Sequence, residues 1–361
     1  MSKKTSVFPH GHINRSYWKR VKLGDLVAQQ IISMGRGNVI SKETIKSNPG
    51  CYPVFSSSAT GDGIIGHYAE YMFDDERISW SIDGGGKFFY HPISRYSVTN
   101  VSGWIKVHKQ DEISTRFLYL ALDAEWKTKH FDYQTKAHPS VIKNEYTIIY
   151  PDIDKQHEIT TTIASCENHI AALQALITKY EAIKKATVNL LLKAKVGWRK
   201  VKIKDFCPLQ RGFDLPKRLR SEGRYPLVCS NGIVDRIDTA LQKAPGVVTG
   251  RSGTIGSVHY VTEDYWPHNT TLWVTKFIDA DPMFVYHLLS NMNLSSFSGG
   301  SGVPTLNRNS IHETIISVPT IHKQREIALQ ISAIDDTLKD CRAQLAKAKS
   351  LKQGMMSYFF G

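Results

Sequence analysis

Long apolar runs and secretory features are missing from this sequence. No stretch approaches the ~20 uninterrupted apolar residues of a membrane-spanning helix. Residues 1–17 are polar and basic, without the apolar segment of a secretory signal. The five cysteines, at positions 51, 166, 207, 229 and 341, are odd in number and lack metal-ligand spacing. We therefore expect no membrane association, and unpaired thiols in a reducing cytoplasm.

Signatures of catalysis are also scarce. Asn48-Pro49-Gly50-Cys51 departs from the Asn/Asp-Pro-Pro-aromatic signature of amino-methyltransferases. Asp152 and Asp154 are too close in sequence for the two neighbouring strands of a nuclease metal site, and a place near a helix start explains them. No phosphate-binding loop, nucleophile elbow or metal-binding histidine pair is present. We expect no catalytic centre, metal or cofactor here; a self-sufficient methyltransferase or nuclease with an unrecognised centre is the alternative.

Acidic residues are outnumbered by basic ones. The 361 residues include 46 Lys and Arg against 33 Asp and Glu, so the formal net charge is +13. Apolar residues make up 41% and charged residues 22%, the balance of a globular protein long enough for two or three domains. The basic surplus favours a polyanionic partner or an acidic surface.

The chain contains one long sequence pattern twice. Residues 151–159 match residues 319–327 at Pro, Ile, Lys, Gln, Glu and Ile, at an offset of 168. Four further matches occur in the same order along both copies. They are Trp18-Lys19-Arg20-Val21-Lys22 with Trp198-Arg199-Lys200-Val201-Lys202, Tyr52-Pro53-Val54 with Tyr225-Pro226-Leu227, Asn100 and Trp104 with Asn269 and Trp273, and Phe117-Leu118-Tyr119 with Phe284-Val285-Tyr286. The chain is therefore interpreted as two copies of a globular unit followed by a long helix.

Heptad spacing follows each Pro-x-Ile-x-Lys-Gln motif and predicts two helices of about 40 residues, ~60 Å each. A narrow apolar stripe needs one partner helix, and the other copy can supply it as an antiparallel coiled coil with a pseudo-twofold axis. Ordinary helices of a bundle or a homodimer are the alternative. Lys184 and Lys352 interrupt the stripe at equivalent places, which predicts a local shift of it. The predicted seam residues are Ile159, Ile163, Ile170, Leu173, Ile177, Tyr180, Leu191, Ile327, Ile331, Ile334, Leu338, Leu345 and Met355.

Each globular unit reads as mixed α/β. Short strands with Gly-rich turns precede an apolar helix, near 114–124 in the first copy and 281–291 in the second. Asp83-Gly84-Gly85-Gly86 and the segment 251–256 lie between short apolar runs, so they predict hairpin turns rather than phosphate loops.

Basic and polar side chains cluster on the predicted loops. Between Arg199 and Arg224, nine Lys and Arg stand against three acids. Arg, Lys, Asn and Ser are side chains that bond phosphates and base edges, so the group favours nucleic acid. The candidate DNA-contacting residues are Arg36, Lys42, Lys46, Ser57, Lys87, Lys136, His138, Arg211, Lys217, Arg218, Arg220, Asn231, Arg251, Ser252, Asn307 and Arg308.

Together these patterns resemble the DNA specificity (S) subunit of type I restriction-modification enzymes. Two globular units, each followed by a long helix that opens with Pro-x-Ile-x-x-Gln-x-x-Ile, are typical of that family. The Lys-rich close at 345–356 and the segment Gly300-Ser301-Gly302-Val303-Pro304-Thr305-Leu306 resemble family segments too. Two features depart from the family pattern: the chain is short, and the first-copy loop at 133–141 lacks the Gly-rich form of the second copy. The short length also suits the specificity chain of a type IIB system.

The resemblance implies a non-catalytic, cytoplasmic subunit with two target recognition domains, each reading one half of a split double-stranded DNA sequence. The paired helices would act as a ruler between the domains and as a docking surface for methyltransferase and restriction subunits. DNA methylation would then take place on the partners, where S-adenosylmethionine binds. The expected segments are a flexible basic tail at 1–17, recognition domains at 18–150 and 198–318, and conserved helices at 151–197 and 319–361.

Overall fold

The chain divides into two compact units, which the computed structural model describes over residues 15–57, 61–129, 131, 136–299 and 304–361. Unit 1 comprises Met1–Leu173 and Gln344–Gly361, and unit 2 comprises Gln174–Ala343. The expected flexible tail lies outside the described residues as far as residue 14. Both unit boundaries fall inside long helices, so each unit combines one domain with the first part of one helix and the last part of the other.

The domain of unit 1 contains three sheets. A four-stranded sheet has the order β2-β8-β5-β6, a three-stranded sheet has the order β4-β3-β7, and β1 pairs with β9. The strands are β1 (Lys19–Lys22), β2 (Ile32–Arg36), β3 (Pro49–Phe55), β4 (Ile64–Tyr68), β5 (Arg77–Ser81), β6 (Phe88–His91), β7 (Ser97–Val98), β8 (Ser102–Val107) and β9 (Thr147–Tyr150). The helices are α1 (Leu23–Ala28), α2 (Lys42–Ser47), α3 (Thr115–Trp126), α4 (Pro139–Glu145) and α5 (Ile153–Leu192).

The domain of unit 2 repeats these sheets in the same order: β11-β17-β14-β15, β13-β12-β16 and the pair β10–β20, with an added pair β18–β19. Its strands are β10 (Arg199–Lys202), β11 (Leu209–Arg211), β12 (Glu222–Cys229), β13 (Gly232–Ile237), β14 (Gly246–Gly250), β15 (Val258–Val261), β16 (Trp266–Pro267), β17 (Thr271–Val274), β18 (Ser298–Gly299), β19 (Thr305–Leu306) and β20 (Ile315–Val318). Its helices are α6 (Pro282–Asn291), α7 (Arg308–His312) and α8 (Ile321–Phe360). The shared topology confirms a duplicated, mixed α/β architecture.

Local features repeat as well. The shift between β3 and β4 that follows Pro49 recurs between β12 and β13 after Glu222. Both Gly-rich segments are hairpin turns, as predicted: one joins β5 to β6 and the other joins β14 to β15. Gly85 and Gly253 each adopt φ of +82°, a left-handed conformation that other residues rarely take.

Each unit has a core that the sheet, the apolar helix and both long helices share. In unit 1, Trp80 and Phe117 of the domain are buried together with Ile159 of α5 and with Met355 and Phe359 of α8. The first part of α5 and the last part of α8 therefore pack antiparallel on the same domain.

The core of unit 2 is built from the equivalent elements. Phe284 of α6 packs with Ile327 and Ile331 of α8, and Val188 and Leu191 of α5 lie against them. The predicted seam residues of both helices are buried or half-buried, whereas Leu190, off the seam, is 66% exposed. This burial is what an antiparallel coiled coil requires.

The two lysines that interrupt the apolar stripe form matched ion pairs. Lys352 Nζ lies 2.7 Å from a carboxylate oxygen of Glu167 in unit 1. Lys184 Nζ lies 2.5 Å from a carboxylate oxygen of Asp335 in unit 2. Glu167 and Asp335 are themselves equivalent in the repeat. The stripe is therefore bridged by charge between the helices at these points, where a shift of the stripe was expected.

A buried glutamine joins the start of each long helix to its domain. Gln156, 0% exposed, accepts a hydrogen bond at Oε1 from the N–H of Ser114, the N-cap residue of α3, at 2.9 Å. Its Nε2 donates to the carbonyls of Glu112 at 3.0 Å and Pro151 at 2.9 Å. One side chain thus satisfies three backbone groups that burial would otherwise leave unpaired.

Gln324, 1% exposed, repeats the arrangement in unit 2. Its Oε1 accepts from the N–H of Asp281, the N-cap residue of α6, at 2.9 Å. Its Nε2 donates to the carbonyls of Asp279 and Pro319, both at 3.0 Å. The glutamine of the repeated Pro-x-Ile-x-Lys-Gln motif is therefore a structural link between helix and domain.

We predict that Gln156→Leu and Gln324→Leu each lower the free energy of unfolding by about 2–5 kcal/mol. Each substitution leaves three backbone groups without a partner. A fully buried group costs about 1–3 kcal/mol, and the part-buried ones, the carbonyls of Glu112 and Asp279 and the N–H of Asp281, cost less because water can reach them. Urea denaturation followed by circular dichroism measures the change. Gln174→Leu, at an exposed position of α5, is the control and should change stability by less than about 0.5 kcal/mol. Equal losses in the buried and exposed variants would contradict the assigned role.

The ion pair between Lys184 and Asp335 in unit 2 leads to a second prediction. Lys184→Glu and Asp335→Lys each place like charges together and should cost about 1 kcal/mol, while the double variant should recover most of that loss. Thermal unfolding at low ionic strength measures all three. Lys179→Glu, at an exposed position of the same helix, controls for the change in net charge. If the double variant loses as much unfolding free energy as the two single variants together, the two side chains do not interact.

Candidate nucleic-acid interface

A basic cleft forms in unit 2 where sheet and loop segments converge. β17 lies between β11 and β14, with Leu272 opposite Arg211 on one side and Thr271 opposite Gly250 on the other. Arg251 follows Gly250 directly. The two arginines therefore lie on either side of β17. The strands that carry them are separated by two inter-strand spacings, about 10 Å.

The β19 strand and α7 complete the cleft. The N–H of Leu306 donates to the carbonyl of Arg251 at 2.8 Å, and Thr305 forms an antiparallel bridge with Ser252. Asn307 is the N-cap residue of α7, and its Oδ1 accepts from the N–H of Asn309 at 2.9 Å. These bonds hold the first turn of α7, with the exposed Arg308 and Asn309, beside the Arg251 turn.

The cleft has a volume of about 640 Å³ and an apolar floor formed by Leu272 and Leu306. Its described lining contains no acidic residue, and residues 300–303, outside the described part, are Gly-Ser-Gly-Val. The lining residues are Arg211, Arg251, Leu272, Gly299, Thr305, Leu306, Asn307, Arg308 and Asn309. Three arginines and two asparagines thus line one concave surface.

The arginines of the cleft keep most of their donors free for a ligand. Arg211 lies 3.9 Å from Asp214, and both side chains are more than half exposed. Arg251 uses Nη1 to donate to the carbonyl of Asn269 at 3.4 Å, which orients its guanidinium. Among the described residues, Arg308 has no ion-pair partner.

A neutral histidine anchors α7 beneath Arg308. The Nε2 of His312 accepts a hydrogen bond from the N–H of Leu209 at 2.9 Å. Burial lowers the pKa of His312, and the charge of Arg308 lowers it further. The imidazole therefore stays neutral and available as an acceptor, which ties α7 to the start of β11.

The other candidate residues of unit 2 lie elsewhere. Lys217 and Arg218 are exposed on a short turn, and Asn231 is exposed between β12 and β13. The Arg220 side chain is only 15% exposed; its Nε donates to the carbonyl of Leu215 at 3.1 Å and its Nη1 lies 3.5 Å from Asp235. The structure brings together Arg211, Arg251, Asn307 and Arg308, with Ser252 at the edge, but not these four.

In unit 1, Arg36 occupies the place of Arg211, at the end of the equivalent strand and beside the equivalent tryptophan strand. Its Nε donates to the carbonyl of Asn100 at 3.2 Å, and Asn100 is the counterpart of Asn269. Lys42 and Lys46 are exposed on α2.

The remaining candidates of unit 1 surround the β5–β6 turn and α4. Ser57 donates to the carbonyl of Val101 and accepts from the N–H of Asp83. Lys136 lies 2.9 Å from Asp83. Lys87 lies over the ring of Phe89 at 5.0 Å, and His138 is the N-cap residue of α4. Ser57 therefore has a structural role at this turn.

Asn309 follows the predicted pair Asn307-Arg308 in the same polar run of the sequence, whereas Thr305 is not among the predicted contact residues. Thr305 carried no signal, because its place depends on a bridge to a residue 53 positions earlier.

The described residues offer no sign of a metal centre or a membrane span. They contain no group of three or more His, Cys, Asp or Glu that could hold a metal ion. None of the helices in the described part of the chain has the length and apolarity to cross a membrane.

Comparison with known proteins identifies the family. The family described as the type I restriction modification DNA specificity domain matches this chain twice, over residues 15–183 and 195–348. The chain belongs to this family. It is therefore a DNA sequence-specificity subunit of type I restriction-modification systems, a recognition component without catalytic activity.

Individual relatives agree with this assignment. A type I specificity subunit of Mycoplasma pneumoniae, S.MpnORF507P, is 24% identical over 347 residues, which cover 92% of this chain and 94% of the relative. These findings support the type I assignment over a type IIB chain and over a self-sufficient enzyme.

Solved structures show that the fold is shared. The S subunit of a type I system from M. genitalium aligns with a TM-score of 0.71 at 15% identity, covering 98% of this chain and 99% of the other. A chain from a study of complex assembly and conformational transition of the type I R-M system aligns with a TM-score of 0.52 at 12% identity, with the same coverage. The duplicated architecture is thus that of S subunits.

Proposed function

We propose that this specificity subunit reads a split double-stranded DNA sequence, one half with each domain. The observation that supports this most is the basic cleft of unit 2, where Arg211, Arg251 and Arg308 face one concave surface without an acid among its described lining. We propose that the second domain contacts its half-site through these residues and Asn307.

Two kinds of contact would supply affinity and sequence discrimination separately. Lys and Arg that reach phosphates supply affinity independent of sequence, and they position the protein on the duplex. The exposed Lys42, Lys46, Lys217 and Arg218 suit that role. Side chains that reach base edges supply the discrimination, and the oriented arginines of the cleft suit it.

The two domains present different chemistry at equivalent places, so we propose that the half-sites differ. In unit 1 the β5–β6 turn carries Asp83, paired with Lys136. In unit 2 the equivalent turn begins with Arg251. A carboxylate accepts hydrogen bonds from bases, whereas a guanidinium only donates them. Arg36 and His138 complete the proposed contact set of unit 1.

We propose that the paired helices dock methyltransferase subunits, which the restriction subunits join in the cytoplasm. In unit 1 a groove of about 780 Å³ runs between α5 and α8, with Cys166, Ala348, Leu351 and Met355 in its lining and Thr, Ser, His and Lys side chains beside them. A partner helix with one apolar face and polar side chains along its edges would fit such a groove. Methyl transfer and its S-adenosylmethionine then belong to the partner.

Exchange of residues 198–318 for the equivalent domain of a relative should change one half-site only. Each domain has its own core and its own contact set, so the other half should persist. Genome-wide mapping of methylated bases, in cells that contain the complete enzyme, reports both halves at once. Exchange of residues 18–150 is the matched experiment for the other half. A simultaneous change of both halves in either exchange would contradict one reader per half.

The gap between half-sites should follow the length of the long helices. Insertion of seven residues into α5 and into α8 keeps the heptad phase and lengthens each helix by ~10.5 Å, about three base pairs. We expect a longer gap and unchanged half-sites in the methylation map. An insertion of seven residues in the exposed segment 193–197 is the control for added length outside the helices. Altered half-sites with an unchanged gap would refute this dependence.

A further inference from the structure

The charged side chains in the described lining of the unit 2 cleft are all arginines. Its three arginines only donate, and each guanidinium presents a planar pair of N–H groups. Guanine is the base whose major-groove edge presents two acceptors, O6 and N7. A cytosine edge presents an amine donor, for which a carboxylate is the preferred acceptor, and the described lining contains no carboxylate.

Arg308 and Asn309 are the least engaged side chains of the cleft. Both are exposed on the first turn of α7, and neither has a side-chain hydrogen bond to another described residue. Asn307, by contrast, uses its Oδ1 on the N–H of Asn309, and Arg251 is partly held by Asn269. An asparagine amide, with one donor and one acceptor, matches the N7 and N6 amine of adenine.

The dimensions suit a short stretch of bases. The strands that carry Arg211 and Arg251 are about 10 Å apart. At 3.4 Å per base pair this span corresponds to about three base pairs. α7 lines the same cleft, so the side chains of Arg308 and Asn309 lie within reach of the same stretch of about three base pairs.

We infer that Arg308 reads a guanine and Asn309 an adjacent adenine in the half-site of the second domain. This inference rests on the proposed function, because it assigns bases to the cleft proposed above as the contact surface. It predicts a half-site with at least one guanine and one adenine on the contacted strand.

Conservative substitutions distinguish base reading from phosphate contact. Arg308→Lys keeps the charge but loses the bidentate pair, so discrimination at one guanine should fall roughly tenfold to hundredfold. Asn309→Asp replaces the amide donor by a second acceptor, so the preference at the adenine should move to cytosine. Methylation mapping in cells that carry the complete enzyme, with each variant in turn, measures both effects. Arg236→Lys, at an exposed arginine that pairs with Glu263 outside the cleft and outside the proposed contact set, is the matched control and should leave the motif unchanged.

The outcomes separate this inference from the function it rests on. A loss of base specificity at one guanine for Arg308→Lys, with the first half-site and the gap unchanged, supports the inference. Uniformly weaker methylation for Arg308→Ala, with a wild-type map for Arg308→Lys, would show a phosphate contact and overturn the inference alone. A wild-type half-site without guanine would also overturn it alone. A wild-type map without any split motif would overturn the proposed function and this inference together.

Discussion

The architecture depends on one buried side chain that occurs twice. Gln156 and Gln324 each bind the carbonyl before a long helix, a carbonyl of the preceding loop and the N–H of an N-cap residue. Apolar packing between helix and domain is strong but has no direction, so alone it allows small rotations. Three hydrogen bonds at buried or part-buried sites do fix direction, because a rotation would break them and leave poorly hydrated polar groups unpaired. The helix therefore leaves each domain at a defined angle.

A fixed frame allows the contact surfaces to diverge. The sheet order, the strand shift after Pro49 and Glu222 and the glutamine link are the same in both units. The carbonyl of Asn100 accepts from Arg36, whereas its counterpart Asn269 accepts from Arg251, on the other side of the central strand. The same acceptor thus orients a different arginine in each copy. With the proposed contact residues on this surface, substitution there would change the target without any change in the frame.

Sequence reasoning reached the parts of this structure that have a local signal. The repeat, the heptads and the Gly-rich turns predicted the duplication, the long antiparallel helices and both hairpins, since each signal lies within a few residues of the element it specifies. The role of Gln156 could not be predicted, because its partners Glu112 and Ser114 lie more than 40 positions earlier in the chain. The cleft poses the same difficulty: Arg211 and Arg308 are 97 positions apart, and they come together through the sheet order and the bridge between Thr305 and Ser252. Charge counts along the loops favoured Lys217, Arg218 and Arg220 equally, although the structure uses Arg220 to hold a loop.

The orientation of the arginines matters for how such a surface discriminates. A free arginine loses about 2 kcal/mol of side-chain entropy when it is fixed, which offsets much of the 1–3 kcal/mol that a bidentate base contact supplies. Arg36 and Arg251 are each already held by a backbone carbonyl before any ligand arrives. Arg308 has no such restraint among the described residues, but it lies on a helix turn that the Asn307 cap and the neutral His312 hold in place. Restraint of the backbone beneath a mobile side chain lowers the entropy cost only in part. Under the proposed base contacts, discrimination at Arg308 should therefore be more sensitive to the cap and to His312 than discrimination at Arg251, whose guanidinium is restrained directly.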